Sequence, residues 1–186
     1  GKIEKGYESV PLSAVLRREE IEKNLPEAPD FTGDKGIKLE DVANNRATLV
    51  GFAAQLEDIE LEALCRGDYV MNSKLGTPGN AAVYGGILES LREKGVPPVP
   101  ATDAPSGIRL HSYASLLPIG TLLASTWNQQ LVRELYSVEG AEMVRKGSDV
   151  LLAPGMNIHR DPLCGRNFEY FSEDPLLSGT MGAAVV

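Results

Sequence analysis

Several features that would assign this sequence to a protein class at once are missing. No run approaches the roughly 18 apolar residues that a membrane helix requires, so a membrane-spanning segment is not expected. The first residues also show no charged-then-apolar leader. Lysine and arginine form no cluster that would bind a phosphate backbone. With a formal net charge of −8, a nucleic-acid partner is not expected either.

Cysteine and histidine are equally scarce. Cys65 and Cys164 belong to no CxxC or CxH motif, so each is expected to be a buried free thiol rather than a zinc ligand. His111 and His159 lie in no H-x-E-x-H-like cluster, so no metal site is expected. The sequence also lacks N-x-S/T sequons, and its cysteine usage favours a reducing compartment; we therefore expect a cytoplasmic location.

Motifs for nucleotide binding and serine catalysis are absent too. No G-x-G-x-x-G follows a strand, and neither a Walker loop nor a G-x-S-x-G elbow is present, so no cofactor is expected. What remains is an ordinary composition, 42% hydrophobic and 24% charged, which can form a sizeable core. The length suits one domain. Because the sequence starts at Gly1 and stops in the apolar run MGAAVV, we expect it to be a piece of a longer polypeptide.

The predicted organisation is a polar linker or wrapping segment at 1–35, followed by a folded region at 36–186. The linker holds one short predicted helix around Leu12–Asn24. The elements predicted beyond it are a helical pattern through Leu49, Phe52, Ala53 and Leu56, helices at Glu57–Cys65, Ala81–Lys94 and Asn128–Lys146, extended runs at 96–101 and 150–153, and a helix beginning at Asp174-Pro175. Glycines at positions 67, 95 and 147 are predicted helix ends.

This alternation of strands, long loops and helices predicts an α/β fold with a parallel sheet or a barrel. In a barrel, the loops that follow strands gather at one face, which carries the chemistry. Within the long helix, one predicted buried face is formed by Leu131, Leu135, Val138 and Ala141, and Trp127 just before it is expected in the core.

Polar residues concentrate in the loop after 150–153, which contains His159, Arg166 and Glu169 within the stretch PGMNIHRDPLCGRNFEYFSED. Arginine forks and carboxylates suit a polyhydroxylated neutral ligand. They suit a self-contained, salt-bridged loop equally well, and these residues alone do not decide between the two.

The loop after 96–101 is shorter and contains Asp103, Ser106, Arg109 and His111. An aspartate at the end of a strand can cap its own turn. If it points into the mouth of a barrel, its carboxylate can instead accept paired hydrogen bonds from the hydroxyls of a sugar.

Three stretches resemble one known family. The stretch DVLLAPGMNIHRDPLCGRNFEYFSEDPLLSG (149–179) resembles the signature region of glycoside hydrolase family 3, in its β-glucosidase branch. The stretch TDAPSGIRLH (102–111) resembles the D-G-P-S-G-x-R element of that family, with Ala104 in place of the usual glycine. The intervening 117–147 is similar in pattern and spacing, so the resemblance runs from about Val50 to Val186.

The resemblance implies a partial (β/α)8 TIM-type barrel, the first βα units only, of a retaining, exo-acting β-glucosidase. The substrate would be a β-glucoside or a cello-oligosaccharide. The residues implied at subsite −1 are Asp103, Arg109, Arg166, Glu169 and His159. Asp103 would hold sugar hydroxyls, with the two arginines as companions; Glu169 would orient Arg166, and His159 would shape the loop.

The same resemblance places both catalytic carboxyl groups outside these residues. The aspartate nucleophile is expected after Val186, and the acid/base glutamate in an α/β sandwich domain before Gly1. The implied partner is therefore the remainder of the same enzyme. Two alternatives stay open: a β-xylosidase or another family-3 exo-glycosidase, and a non-catalytic sugar-binding module.

Overall fold

The computed structural model describes Gly6, Ser9 and residues 17–186, which fall into two units divided after Asp30. In the first unit, helix α1 spans Arg17–Lys23 and is exposed along its length. An ion pair of 2.9 Å between Arg18 and Glu22 lies on its surface. This helix falls within the one predicted around Leu12–Asn24, of which residues 12–16 lie outside the described part of the chain.

The second unit, Phe31–Val186, contains the other elements. In chain order they are α2 (Leu39–Ala43), α3 (Leu49–Ala54), α4 (Asp58–Arg66), β1 (Ala82–Gly85), α5 (Glu89–Glu93), β2 (Pro98–Asp103), α6 (Gly120–Ala124), α7 (Gln129–Lys146), β3 (Val150–Leu152), a 3₁₀ helix (Asn167–Glu169) and α8 (Pro175–Val185). Among the described residues, no helix is both long and apolar enough to cross a membrane.

The three strands form one sheet in the order β1-β2-β3. β2 and β3 are parallel, with Ala101 opposite Val150 and Asp103 opposite Leu152, and α6 and α7 lie between them in the chain. The predicted α/β class and the two predicted strands are therefore confirmed. β1 pairs antiparallel with β2, so the sheet is mixed.

The prediction of one helix over Ala81–Lys94 is wrong. The first part of this range is β1, in which Val83 pairs with Pro100, and only Glu89–Glu93 is helical. Gly85 explains the break, since its φ of +78° is not helical and a Cβ there would approach the carbonyl oxygen of Pro97 to 2.6 Å. The strand pairing depends on a partner distant in sequence, which helical spacing does not reveal.

The long helix α7 is confirmed together with both of its ends. The side chain of Asn128 accepts a hydrogen bond from the amide of Leu131 at 3.0 Å, and Gly147 ends the helix in the left-handed conformation. The predicted buried face is wrong, however: Leu131 is 45% and Val138 61% exposed. The residues that α7 buries are Val132, Tyr136, Glu139 and Met143. The first three lie one position after the predicted residues, and Met143 lies two positions after Ala141.

Two further sequence expectations are wrong. Trp127 is 73% exposed and has a positive φ of 54°, which turns the chain between α6 and the Asn128 cap. Cys65 is an exposed free thiol and Cys164 a half-buried one. Cys65 follows the buried Ala63 by two positions on α4, and residues two apart lie on different faces of a helix.

Three hydrophobic clusters hold the second unit together. The cluster of α6, α7 and α8 includes Val132, Phe171 and Met181, and the cluster of α3, α4 and α5 includes Phe52 and Leu91. The third is small and consists of Ala104, Ile108 and Met143, with Leu151 of β3 packed against it. This third cluster fixes the chain that leaves β2 against α7, and so positions the site.

Candidate active site

Both predicted site loops leave the same edge of the sheet. Asp103 is the last residue of β2, and the loop containing Arg166 and Glu169 follows β3. Since β2 and β3 are parallel, their carboxyl ends meet at one edge, which is where ligand sites form in α/β sheets.

Asp103 and Arg109 are joined by two hydrogen bonds. Nη1 of Arg109 donates to Oδ2 of Asp103 at 3.0 Å, and the backbone amide of Arg109 donates to the carbonyl oxygen of Asp103, also at 3.0 Å. The carboxylate is 29% exposed and the guanidinium side chain 77%. The loop thus turns back on its own start, and the second carboxylate oxygen and most of the guanidinium remain open to a ligand.

The pair stands between two cavities. The larger has a volume of about 370 Å³ and extends from Asp103 to Leu116, Phe168 and Glu169. The smaller, of about 220 Å³, is bounded by Met71, Gly79 and His111. Asp103 and Arg109 line both. A neutral ligand with several hydroxyl groups could therefore contact the carboxylate from either side.

The second loop supplies another acid–base pair. Nε of the exposed Arg166 donates to Oε1 of Glu169, whose side chain is only 5% exposed. The pKa of Arg166 is raised, first by the hydrogen bond to Glu169 and then by the charge of that carboxylate, with a smaller effect from Asp103. The charge of Asp103, in the first loop, thus acts on the guanidinium of Arg166 in the second.

His159 lies within the second loop rather than on the cavity walls given by the described residues. Its ring Nε2 donates to the carbonyl oxygen of Asn167 at 2.7 Å, and its backbone amide donates to Ser172. Asn167 in turn donates from its side chain to the carbonyl oxygen of Asp161 at 2.8 Å. These bonds hold the loop in shape, and direct sugar binding by His159 stays a prediction.

Sequence reasoning missed one polar group beneath the site. Glu139 of α7 is 2% exposed, and neither of its carboxylate oxygens has a hydrogen-bond partner among the described residues. Burial, followed by the nearby charge of Glu142, raises the pKa of Glu139 to about 7, while the Gly107 amide lowers it. A correct prediction of which face of α7 is buried would have identified Glu139, because that face contains this glutamate.

No group of three His, Cys, Asp or Glu residues that could hold a metal ion occurs in the described part of the chain.

Comparison with known proteins identifies the family. Residues 80–186 match the glycosyl hydrolase family 3 N terminal domain, a range that contains β2, β3 and both site loops. A β-glucosidase of Ruminococcus albus is 51% identical over 180 residues, which is 96% of this chain and 19% of that protein. A β-glucosidase A of Butyrivibrio fibrisolvens is 39% identical over 153 residues.

Solved structures agree with the sequence matches. A β-glucosidase of Paenibacillus barengoltzii superposes with a TM-score of 0.90 at 51% identity, over 96% of this chain and 19% of that one. The β-glucosidase 3B of Thermotoga neapolitana, in complex with glucose, gives a TM-score of 0.53 at 35% identity over 69% of this chain. The chain spans about 19% of the length of the R. albus relative. The family match and these likenesses together show that the chain belongs to glycosyl hydrolase family 3, as part of its N-terminal domain.

Proposed function

We propose that this chain is part of a retaining, exo-acting β-glucosidase and supplies residues of subsite −1, where the terminal β-D-glucosyl unit of a β-glucoside or cello-oligosaccharide binds. The observation that carries the proposal is the Asp103–Arg109 pair at the carboxyl end of β2, on the wall of two cavities. The relatives named above are β-glucosidases, and one of their structures contains glucose.

The proposed scaffold is the first part of a (β/α)8 TIM-type barrel, extending over residues 36–186, with 1–35 as a linker or wrapping segment. Parallel β2 and β3, joined through α6 and α7, have the connection that a barrel of this type repeats. Antiparallel β1 departs from the all-parallel arrangement, and we place it at the start of a slightly collapsed barrel.

In this proposal Asp103 accepts hydrogen bonds from two neighbouring sugar hydroxyls. Arg109 fixes the rotamer of this carboxylate, while Arg166, aligned by Glu169, donates to the same sugar. Hydrogen bonds to charged groups contribute about 1.5–3 kcal/mol each. In an exo-acting enzyme such contacts fix the ring for attack at its anomeric carbon.

The reacting carboxyl groups are assigned elsewhere. Retaining hydrolysis needs a nucleophile and an acid/base separated by roughly 5 Å, on the two sides of the bond that breaks. We propose that both come from the remainder of the same enzyme, the nucleophile from the rest of the barrel and the acid/base from an α/β sandwich domain. A cytoplasmic location stays a prediction.

The test uses the polypeptide that carries this sequence, at the length at which its source produces it. Asp103→Ala should lower kcat/KM for an aryl β-glucoside at least ~100-fold, since losing two charge-assisted hydrogen bonds costs several kcal/mol in the transition state. Asp149→Asn is the matched control, because Asp149 is exposed and precedes β3 at the opposite edge of the sheet.

Three results would contradict the proposal. Near-normal kcat/KM in Asp103→Ala would remove the sugar-binding role of this carboxylate. Faster hydrolysis of an aryl β-xyloside than of the β-glucoside would move the specificity to another exo-glycosidase of the family, and no hydrolysis of any aryl β-glycoside would favour a binding module.

A further inference from the structure

One face of α7 supports the loop 105–115, which places Arg109 beside Asp103. The Tyr136 hydroxyl donates to the carbonyl oxygen of Pro105 at 3.0 Å. One turn later lies the buried carboxyl of Glu139, close enough to the Gly107 amide for that N–H to lower the pKa of Glu139, although neither oxygen makes a hydrogen bond within the described residues. Another turn on, Glu142 accepts from the Ser115 amide at 3.2 Å. Residues three apart lie on one face of a helix, so a single face supports both arms of the loop 105–115.

Gly107 is a tightly confined point of this loop. Its φ is +107°, and a Cβ added there would approach the carbonyl oxygen of Ser115 to 2.3 Å. The peptide of Gly107 therefore lies between the far arm of the loop and Glu139 of α7. Two residues further on, Arg109 reaches back to Asp103. A small shift of Gly107 would move the guanidinium relative to the carboxylate.

We propose that Glu139 is a positioning residue, whose carboxyl beneath Gly107 sets the loop 105–109 and thereby the geometry of Arg109 beside Asp103. The proposal rests on the proposed function, because the effect is measured through sugar binding. It concerns a residue that lies outside the cavity walls and touches no substrate.

Burial favours the neutral acid in this place. A buried carboxylate without hydrogen-bond partners is strongly disfavoured, whereas a protonated carboxyl is tolerated. The titratable or charged groups beside it in the described residues are Tyr136 and Glu142 of the same helix, with Lys146 paired to Glu142 at 3.7 Å. The facing loop segment 105–108 contains only Pro, Ser, Gly and Ile, so it offers no compensating charge.

Ionisation of Glu139 should therefore displace the Gly107 segment. Burial and Glu142 set the pKa of Glu139 at about 7, within the range in which an enzyme can be assayed. Below that value the loop is held in the geometry described here. Above it the charged carboxylate moves towards water, and Arg109 loses its alignment with Asp103.

The experiment measures the inhibition constant of glucose against an aryl β-glucoside, from about pH 5.5 to about pH 8.5, in the polypeptide at its native length. Glucose is neutral, so its affinity reports the binding site. For the unsubstituted protein we expect glucose to bind more weakly above the pKa of Glu139, with an inhibition constant that is roughly tenfold larger there. Glu139→Gln should retain tight inhibition at the alkaline end.

Two matched variants separate positioning from general stability. Glu142→Gln removes the neighbouring charge that raises the pKa of Glu139, so its transition should move to lower pH. Glu134→Gln, on an exposed part of the same helix, should reproduce the unsubstituted profile. Thermal unfolding at each pH shows that every variant remains folded over the measured range.

An inhibition profile in Glu139→Gln that coincides with that of the unsubstituted protein would overturn the inference, while leaving the proposed function intact. A protein that neither hydrolyses the glucoside nor binds glucose would contradict the proposed function itself. If Glu139→Gln does not fold, Glu142→Gln takes its place. The inference is then overturned if the inhibition constant of glucose changes at the same pH in Glu142→Gln as in the unsubstituted protein.

Discussion

Arg109 contacts Asp103 twice, once from its guanidinium and once from its backbone amide, each at 3.0 Å. The backbone bond closes the turn after β2 whatever side chain stands at position 109. The side-chain bond is largely exposed to water, and exposed pairs contribute at most about 1 kcal/mol to folding. In the proposed function, Arg109 therefore contributes to ligand geometry more than to stability.

Arg109→Lys should accordingly change activity more than folding. Lysine keeps the charge but lacks the planar fork, so we expect kcat/KM for an aryl β-glucoside to fall ~10-fold or more. The melting temperature should hardly change. Arg46→Lys, at an exposed pair with Asp41, is the control for both measurements. A large loss of stability without a loss of activity would contradict this assignment.

The Arg166–Glu169 pair is asymmetric, because only the glutamate is buried. Removing Arg166 leaves a buried carboxylate without its cation, so Arg166→Ala should destabilise the protein by about 1–2 kcal/mol, a value reduced for the exposure of the arginine. The double variant Arg166→Ala/Glu169→Gln should recover part of that loss. Urea unfolding of the unsubstituted protein, Arg166→Ala, Glu169→Gln and the double variant gives the coupling energy, and additive effects would show that the two residues act independently.

The raised pKa of Glu139 makes folding stability depend on pH. Between its ordinary value of 4.5 and about 7, the native state keeps a proton that the unfolded state has released. Stability then decreases with rising pH over this window and levels off above it. Glu139→Gln removes the effect, so its stability relative to the unsubstituted protein should rise by about 3 kcal/mol across the window. Denaturant unfolding of both proteins at several pH values measures this change. A difference in their free energies of unfolding that stays constant with pH would contradict the assigned burial of Glu139.

Two glycines provide a matched pair of substitutions. Gly107→Ala places a methyl group against the Ser115 carbonyl at a positive φ, and should destabilise the protein by more than ~2 kcal/mol while weakening glucose binding. Gly140→Ala adds the same methyl group within α7, where nothing lies within 4 Å, and should stabilise by about 0.5–1 kcal/mol. Equal effects at the two sites would show that the loop is less confined than described.

Local signals account for the elements that the sequence predicted. Asn128 and Gly147 bound α7, and the Asp174 side chain caps α8 by accepting from the Leu176 amide at 2.7 Å. Such caps act within a few residues, so they can be identified without knowledge of the fold. The site residues Asp103 and Arg166 are predicted from the polar composition of the two loops that follow strands, and the family resemblance implies their roles.

The features that were missed depend on distant partners. Val83 is a strand residue only because Pro100 lies beside it, and the burial of Glu139 depends on the loop after β2 folding over α7. The phase of α7 was misjudged because leucine and valine occur on its exposed side too, as at Val138. Hydrophobic spacing does not distinguish such a helix's two candidate faces when neighbouring positions are both apolar.

The confinement of Gly107 has a consequence for how sugar selectivity can diverge among related proteins. One wall of the larger cavity is backbone, enclosed by the Ser115 carbonyl and α7, and accepts no larger side chain. Leu116 and Phe168 also line this cavity; their side chains are 89% and 55% exposed and can be exchanged at little cost to folding. Variation in substrate preference should therefore accumulate at those two positions, and libraries for altered selectivity are best confined to them.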